Sequence, residues 1–430
     1  MASPRQPWKS KLRTALTVAC CLTMIWIWAP LRGAQANQIN ATTISVNTAT
    51  DELNADGDCS LREAVRAANL NSQVDACPAG SSGTDAIFLP AGTYNLSITN
   101  PTGDEDAAQT GDLDITGSLT IIGGTPLNTI LDVNYIDRAF ELIGGVILKL
   151  TNLTVRRGLV MDVADGGAIL VNSSSSLYLN RVALRNNEAE WLGGAVYIAE
   201  GGYAQINGST LDANASTDIG MGGGIYNAGN LVVLNTTFSN NLTDSDVSTY
   251  GGGLYTYATA TLINVTFSGN SADEGGGIFN DGITSILNGT ITGNTIGIQN
   301  KASIEVKNTI IAGNLTANCA GYFKITTLGY NLDSGETCIN AGNLAAGDLY
   351  NTDPMLGVLA NNLGPTYTHA LQAGSPAIDT GDAADCPAHD QRGALRPADG
   401  DADTVRRCDI GAYEYLAVFP MLSYLPLMVR

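Results

Sequence analysis

The sequence predicts an all-β chain wound as a right-handed parallel β-helix, and three observations carry that prediction. A Gly-Gly-[Ala/Gly]-[Ile/Val/Leu] unit recurs at Gly166–Ile169, Gly193–Val196, Gly222–Ile225, Gly251–Leu254 and Gly275–Ile278, with a degenerate copy ending at Ile298. The apolar residues that end these units lie 27, 29, 29, 24 and 20 positions apart. Each unit also holds an apolar-Asn step (Leu179-Asn180, Ile206-Asn207, Leu234-Asn235, Ile263-Asn264, Leu287-Asn288). It then closes on a second asparagine: Asn187, Asn214, Asn241, Asn270, Asn294 and Asn314. Finally, 49 of 430 residues are Gly and 14% are charged, against roughly 25% charged in an ordinary soluble domain.

The architecture follows from the period. A unit this short, holding two or three alternating strands such as Thr266-Phe267-Ser268, cannot bury its own apolar face. Stacked on its neighbours at about 4.8 Å per strand, it buries a continuous core. Asn and Gly at a recurring corner accept left-handed backbone, and stacked Asn side chains can hydrogen-bond along the stack. Unequal coil lengths suit a right-handed helix with variable loops. A strict six-residue left-handed helix would not tolerate them.

In chain order, residues 1–36 read as a secretory signal. Arg5, Lys9, Lys11 and Arg13 precede an apolar run from Ala15 to Trp28, and Ala34-Gln35-Ala36 is a small-x-small cleavage site. Losing five basic and no acidic residues there leaves 16 basic against 41 acidic, a net charge of −25. Such a chain lacks the basic face that nucleic acid requires. The run is too short to stay as a membrane span, so a secreted or cell-surface location is expected, with no span after signal removal.

Residues 37–135 read as an N-terminal cap and first coils. Ser60-Leu61-Arg62-Glu63 is a capping-box pattern that opens a short helix suited to plugging the end of the stack. Residues 136–319 are the central repeats, residues 320–415 the C-terminal coils and closing region, and residues 416–430 an apolar, proline-broken tail. The tail is a sorting or docking strand, or a segment packed on the last coil. Six cysteines remain after the signal: Cys59, Cys77, Cys319, Cys338, Cys386 and Cys408. Their three local clusters favour the pairs 59–77, 319–338 and 386–408, each stabilising by about 3 kcal/mol. No tight Cys-x-x-Cys spacing supports zinc.

The run Asp56-Gly57-Asp58-Cys59-Ser60-Leu61-Arg62-Glu63-Ala64-Val65 resembles the CSLREA module of secreted bacterial β-helix proteins. The coils resemble the polymorphic outer-membrane protein repeat. Gly374–Asp379, Asp390–Gly393 and Cys408–Glu414 are similar to the choice-of-anchor Q region. The resemblance covers nearly all of the mature chain and implies a surface or secreted, pectate-lyase-like solenoid with a disulfide-stapled C-terminal end. It carries no catalytic residues that transfer.

Candidate sites come from the residues themselves. Glu188, Glu190, Asp218, Asp244, Asp246, Asp273 and Glu274 recur between coils and form an acidic edge that could hold Ca²⁺ or merely stay solvated. Tyr197, Tyr226, Tyr255 and Phe279 each follow the anchoring apolar residue, so they form an outward column. That column is a platform for sugar rings or a stabilising ladder. Asp399, Asp401 and Asp403 alternate like the start of a calcium loop, but Thr404 and Ile410 stand where that loop has Gly and Glu. His369 and His389 lack a nucleophile motif and are read as part of a structural network with Asp409 and Glu414.

Two functions compete. The leading one is a non-catalytic adhesion or envelope-scaffold protein that binds polysaccharide or cell-envelope components, with no cofactor beyond a possible Ca²⁺ and its oligomeric state open. The other is a polysaccharide lyase or glycoside hydrolase on the same scaffold. A lyase would draw on Arg156 and Arg157 with Asp162 and Asp165, and a hydrolase on paired carboxylates of the acidic edge.

Overall fold

The computed structural model describes residues 42–100, 105–161, 164–218 and 220–419. The chain falls into two units, residues 1–38 and Ile39–Arg430. The proposed signal, Asp162 and residues 420–430 of the tail lie outside the described residues.

Strands that sequence alternation places 20–29 residues apart stack in parallel as a right-handed β-helix. Sheet 1 has nine strands from Leu113–Ile115 to Ala317–Gly321, and sheet 2 has eleven from Thr43–Ser45 to Thr326–Thr327. Sheet 3 has ten strands from Gly92–Asn95 to Leu332–Asp333. A short fourth sheet joins Leu159–Val160, Glu188–Ala189, Ala215–Ser216 and Leu242–Thr243. Each central coil runs through sheets 1, 2, 3 and back, so side chains alternate between one interior and the outside. The anchoring Ile169, Val196, Ile225, Leu254, Ile278 and Ile298 are all fully buried, and Phe238 stacks on Phe267 with centroids 4.4 Å apart.

The paired glycines serve two different needs. Gly193 has φ of 69°, and a Cβ on Gly194 would lie 2.2 Å from the Ala215 carbonyl oxygen of the next coil. One supplies left-handed backbone and the other allows close stacking.

The asparagines also divide. Asn187, Asn214, Asn241, Asn270, Asn294, Asn314 and Asn318 form an internal ladder, each Nδ2 donating to the next Oδ1 at 2.9–3.0 Å. Each Oδ1 also accepts the backbone N–H of the preceding ladder residue, as when Asn241 N donates to Asn270 Oδ1 at 3.0 Å. The ladder starts at the Gly158 N–H and ends at Asp333 Oδ1. Left-handed backbone falls on the residue before it instead, as at Asn186, Ala213, Asn240 and Gly269. At the other corner the left-handed residues are Arg181, Gly208, Asn235, Asn264 and Asn288. In the first two coils this is one place beyond the expected Asn180 and Asn207, because those pair in register with Leu234 inside sheet 2.

The helix Leu61–Leu70 caps the N-terminal end with the expected box: Glu63 N donates to Ser60 Oγ, and Ser60 N to Glu63 Oε2. Leu61, Ala64, Val65, Ala67 and Ala68 are buried. Arg62, fully buried, pairs with Asp51 at 2.6 Å and donates to the Gly111 and Asp112 carbonyls. Cys59–Cys77 and Cys319–Cys338 form as expected, the latter at the last coil.

The C-terminal part departs from an end cap. After Leu349 bridges Leu332, the chain turns back along the outside of sheet 3. The antiparallel pair Leu356–Ala360 and Thr368–Leu371 lies there, with the turn-rich segment that Cys386–Cys408 closes. Gln391, nearly fully buried, accepts from Thr266 Oγ1 at 2.6 Å and donates to Thr237 Oγ1 at 2.8 Å, linking neighbouring coils. Ala412 N donates to Thr290 Oγ1, and Gly411 N to the Asn308 carbonyl. The fold-back thus buries the Thr237, Thr266 and Thr290 column of sheet 3.

Candidate functional site

The fold-back does not cover all of sheet 3. From the C-terminal side it reaches the strand Thr237–Ser239, where Thr237 Oγ1 donates to the Tyr367 carbonyl. From the N-terminal side the loop around Pro126 reaches Thr154–Arg156, through Thr154 Oγ1 donating to the Pro126 carbonyl. Ala183–Arg185 and Thr210–Asp212 stay open between them, giving a gap of three strand steps, about 14 Å. The result is a groove of about 990 Å³.

Its chemistry is polar and locally cationic. Thr210 and Asn240 contribute hydroxyl and amide groups, Arg181 and Arg185 guanidinium groups, and Tyr367 an exposed ring, while Thr237 and Ser239 lie buried at the margin. Asp212 is the one carboxylate among the lining residues, and its Oδ1 accepts from Ser239 Oγ at 2.7 Å and Asn240 Nδ2 at 3.1 Å. That turns Asp212 toward the next coil. Arg185, its neighbour in register, and Arg181 form no ion pair among the described residues. Sequence reasoning missed this groove. The available signal was two arginines in one coil of a chain with 21 basic residues.

The outward column of sheet 1 runs in register from Asp114 and Glu141 through Leu170, Tyr197, Tyr226, Tyr255 and Phe279 to Gln299. The four rings lie parallel with centroids 5.4, 4.9 and 4.8 Å apart. Ring faces therefore meet other rings, and Lys301 Nζ covers Phe279 at 4.8 Å while pairing with Glu274 at 2.8 Å. Burial raises the Tyr197, Tyr226 and Tyr255 hydroxyls, Tyr226 to about 12. Edges, not faces, are what this column offers a ligand.

At the head of that column, Arg138 binds Glu141 at 2.8 Å and Asp112 at 3.4 Å. Asp112, Asp114 and Glu141 bring carboxylate oxygens within 4.8 Å of one another. Asp165 is pushed up to about 6 by burial, partly offset by the Leu192 N–H and by Arg138.

Other predicted groups divide differently from expectation. Arg156 and Arg157 both pair with Asp132, at 2.8 and 2.5 Å, rather than with Asp165. Burial pushes Asp132 up, but the two arginines outweigh it and lower it overall. Asp399 and Asp401 meet Asp379, whereas Asp403 pairs with Arg407 at 3.2 Å. Gly400 and Asp401 backbone N–H groups already bind Asp379 Oδ2. The acidic-edge residues contribute to no three-carboxylate group among the described residues. Those groups include Glu52, Asp56 and Asp58, and Asp58, Glu63 and Asp75, beside the N-terminal cap.

The two histidines stand outside the buried C-terminal network. His369 bridges the Gly357 carbonyl and Ser268 Oγ, and burial lowers its ring. His389 is exposed and uses its carbonyl, which accepts from Asn264. The network itself joins Arg396 to Glu414 at 3.0 Å and Arg392 to Asp390 at 2.7 Å.

No protein-family model and no curated protein matches the chain. Among solved structures, the crystal structure of pectate lyase Pel9A aligns over 88% of this chain and 98% of that chain, at 12% identity and a TM-score of 0.42.

Proposed function

We propose that this chain is an exported, surface-displayed or secreted β-helix protein of the CSLREA and choice-of-anchor Q type that binds polysaccharide without cleaving it. The observation that carries the reading is the groove on sheet 3, an open trough three strand steps wide that Arg181, Arg185, Thr210 and Asn240 line with polar groups. A trough about 14 Å across and open to solvent has room for a short stretch of saccharide chain. A single carboxylate, already turned to Ser239 and Asn240, does not supply the acid and base pair of a glycosidase. Three disulfides suit an oxidising compartment.

The residues of the two resembled motifs support a scaffold role. Ser60 and Glu63 cap the helix, Arg62 ties it to Asp51, and Gln391 docks the fold-back. A second reading, hydrolysis, draws on Asp165, whose elevation to about 6 lies where a general acid works, near Arg138 and its carboxylates. A panel of neutral and acidic polysaccharides, scored in the same tubes for binding and chain shortening, separates the two. Binding without shortening is expected. Shortening that Asp165→Asn abolishes would replace this reading with the second, and no binding to any glycan would end both.

A further inference from the structure

We infer that the sheet 3 groove selects acidic saccharides, holding a sugar carboxylate with Arg181 and Arg185. The inference rests on the polysaccharide-binding reading and deepens it.

The chain carries −20 overall, so an anionic polymer is repelled by most of its surface. A guanidinium with no ion pair among the described residues of so acidic a chain is therefore informative. Arg185 has Asp212 as its direct neighbour in register, yet Asp212 Oδ1 is occupied by Ser239 and Asn240. The same stretch of chain shows the contrast one coil earlier, where Arg156 and Arg157 both close on Asp132. Two arginines there share one carboxylate, and the next two line a cavity with no ion pair among the described residues.

Placement makes the pair usable. Arg181 holds the left-handed corner, φ 53°, and Arg185 ends the strand that follows, so both border the open interval. A Cβ on Gly208 would lie 3.7 Å from Arg181 Cγ and 3.8 Å from Pro365 Cγ, so the Arg181 stem and the fold-back both come close to Gly208. Guanidinium forks match the planar geometry of a carboxylate, and Thr210 and Asn240 match ring hydroxyls. The hairpin loop up to Tyr367 forms the facing wall and presents an exposed ring at the edge.

Titration calorimetry with alginate and hyaluronan hexamers, beside their carboxyl-reduced neutral forms, tests this. Each lost guanidinium contact weakens binding by roughly tenfold or more. Arg181→Gln with Arg185→Gln should therefore lose acidic hexamers. Both arginines are exposed, so folding should hold, and a thermal melt verifies it. Binding of acidic hexamers by wild type should also fall steeply with added salt. Equal affinity for acidic and reduced hexamers would overturn the inference while leaving polysaccharide binding intact. Unchanged acidic binding in the folded double variant would overturn it too. Binding of no glycan in the wider panel would remove the reading beneath it.

Discussion

Asn241 Nδ2 donates to Asn270 Oδ1 at 2.9 Å, and the same oxygen accepts the Asn241 backbone N–H at 3.0 Å. Both side chains are essentially fully buried. One amide thus satisfies a side-chain and a main-chain donor of the previous coil while its own N–H groups reach the Phe238 carbonyl and the next coil. Repeated along the stack, this locks the spacing between coils.

Asn270→Ala leaves the Asn241 backbone N–H buried without its acceptor, and should cost about 3 kcal/mol in urea unfolding. Asn186→Gly, at an exposed left-handed corner of φ 51°, should change stability by about 0.5 kcal/mol or less. Equal effects at the two positions would mean that the ladder has no special role.

Tyr226 stacks on Tyr197 and Tyr255. Tyr226→Leu should cost about 1–3 kcal/mol through two lost ring pairs and leave glycan affinity unchanged. Loss of binding with normal stability would restore the column as the ligand platform.

Arg62→Met leaves Asp51 in a buried site without its cation and should destabilise the N-terminal cap by about 3–5 kcal/mol. Arg62→Lys should not rescue it, because one ammonium cannot reach both Asp51 and the carbonyls at 111 and 112. Hydrogen exchange on residues 61–70 reads the effect directly.

Burial, then the Glu414 charge, raises Asp409 to about 8, and burial raises Glu414 as well. Asp409 holds in the folded chain a proton that the unfolded chain has already released above about pH 4. Its contribution to stability is therefore full below about pH 4 and is lost as pH rises through about 8. The melting temperature should fall between pH 7 and 9, with exchange in residues 390–415 rising first. A melting temperature that climbs over this window would contradict the assignment.

The repeat, the cap and the disulfide pairs were legible because each is a local pattern: a period, a capping box, a short cysteine spacing. The fold-back was not, because Thr237, Thr266 and Thr290 alternate with apolar residues just as solvent-facing threonines do. The column is buried by residues far along the chain: Gln391 on Thr266, 125 positions away, Ala412 on Thr290 and Tyr367 on Thr237. The groove inherits that difficulty, since its walls come from residues near 126 and 367. The aromatic column was legible in position but not in consequence: alternation gives its direction, and only ring geometry shows that the faces are used.

The central claim is that glycan is held in the sheet 3 groove. Difference hydrogen exchange with and without a bound polysaccharide tests it most directly. The account predicts protection confined to residues 181–185, 208–212 and 359–367. Protection at Asp165, Tyr197 and Tyr226 with none in the groove would contradict it.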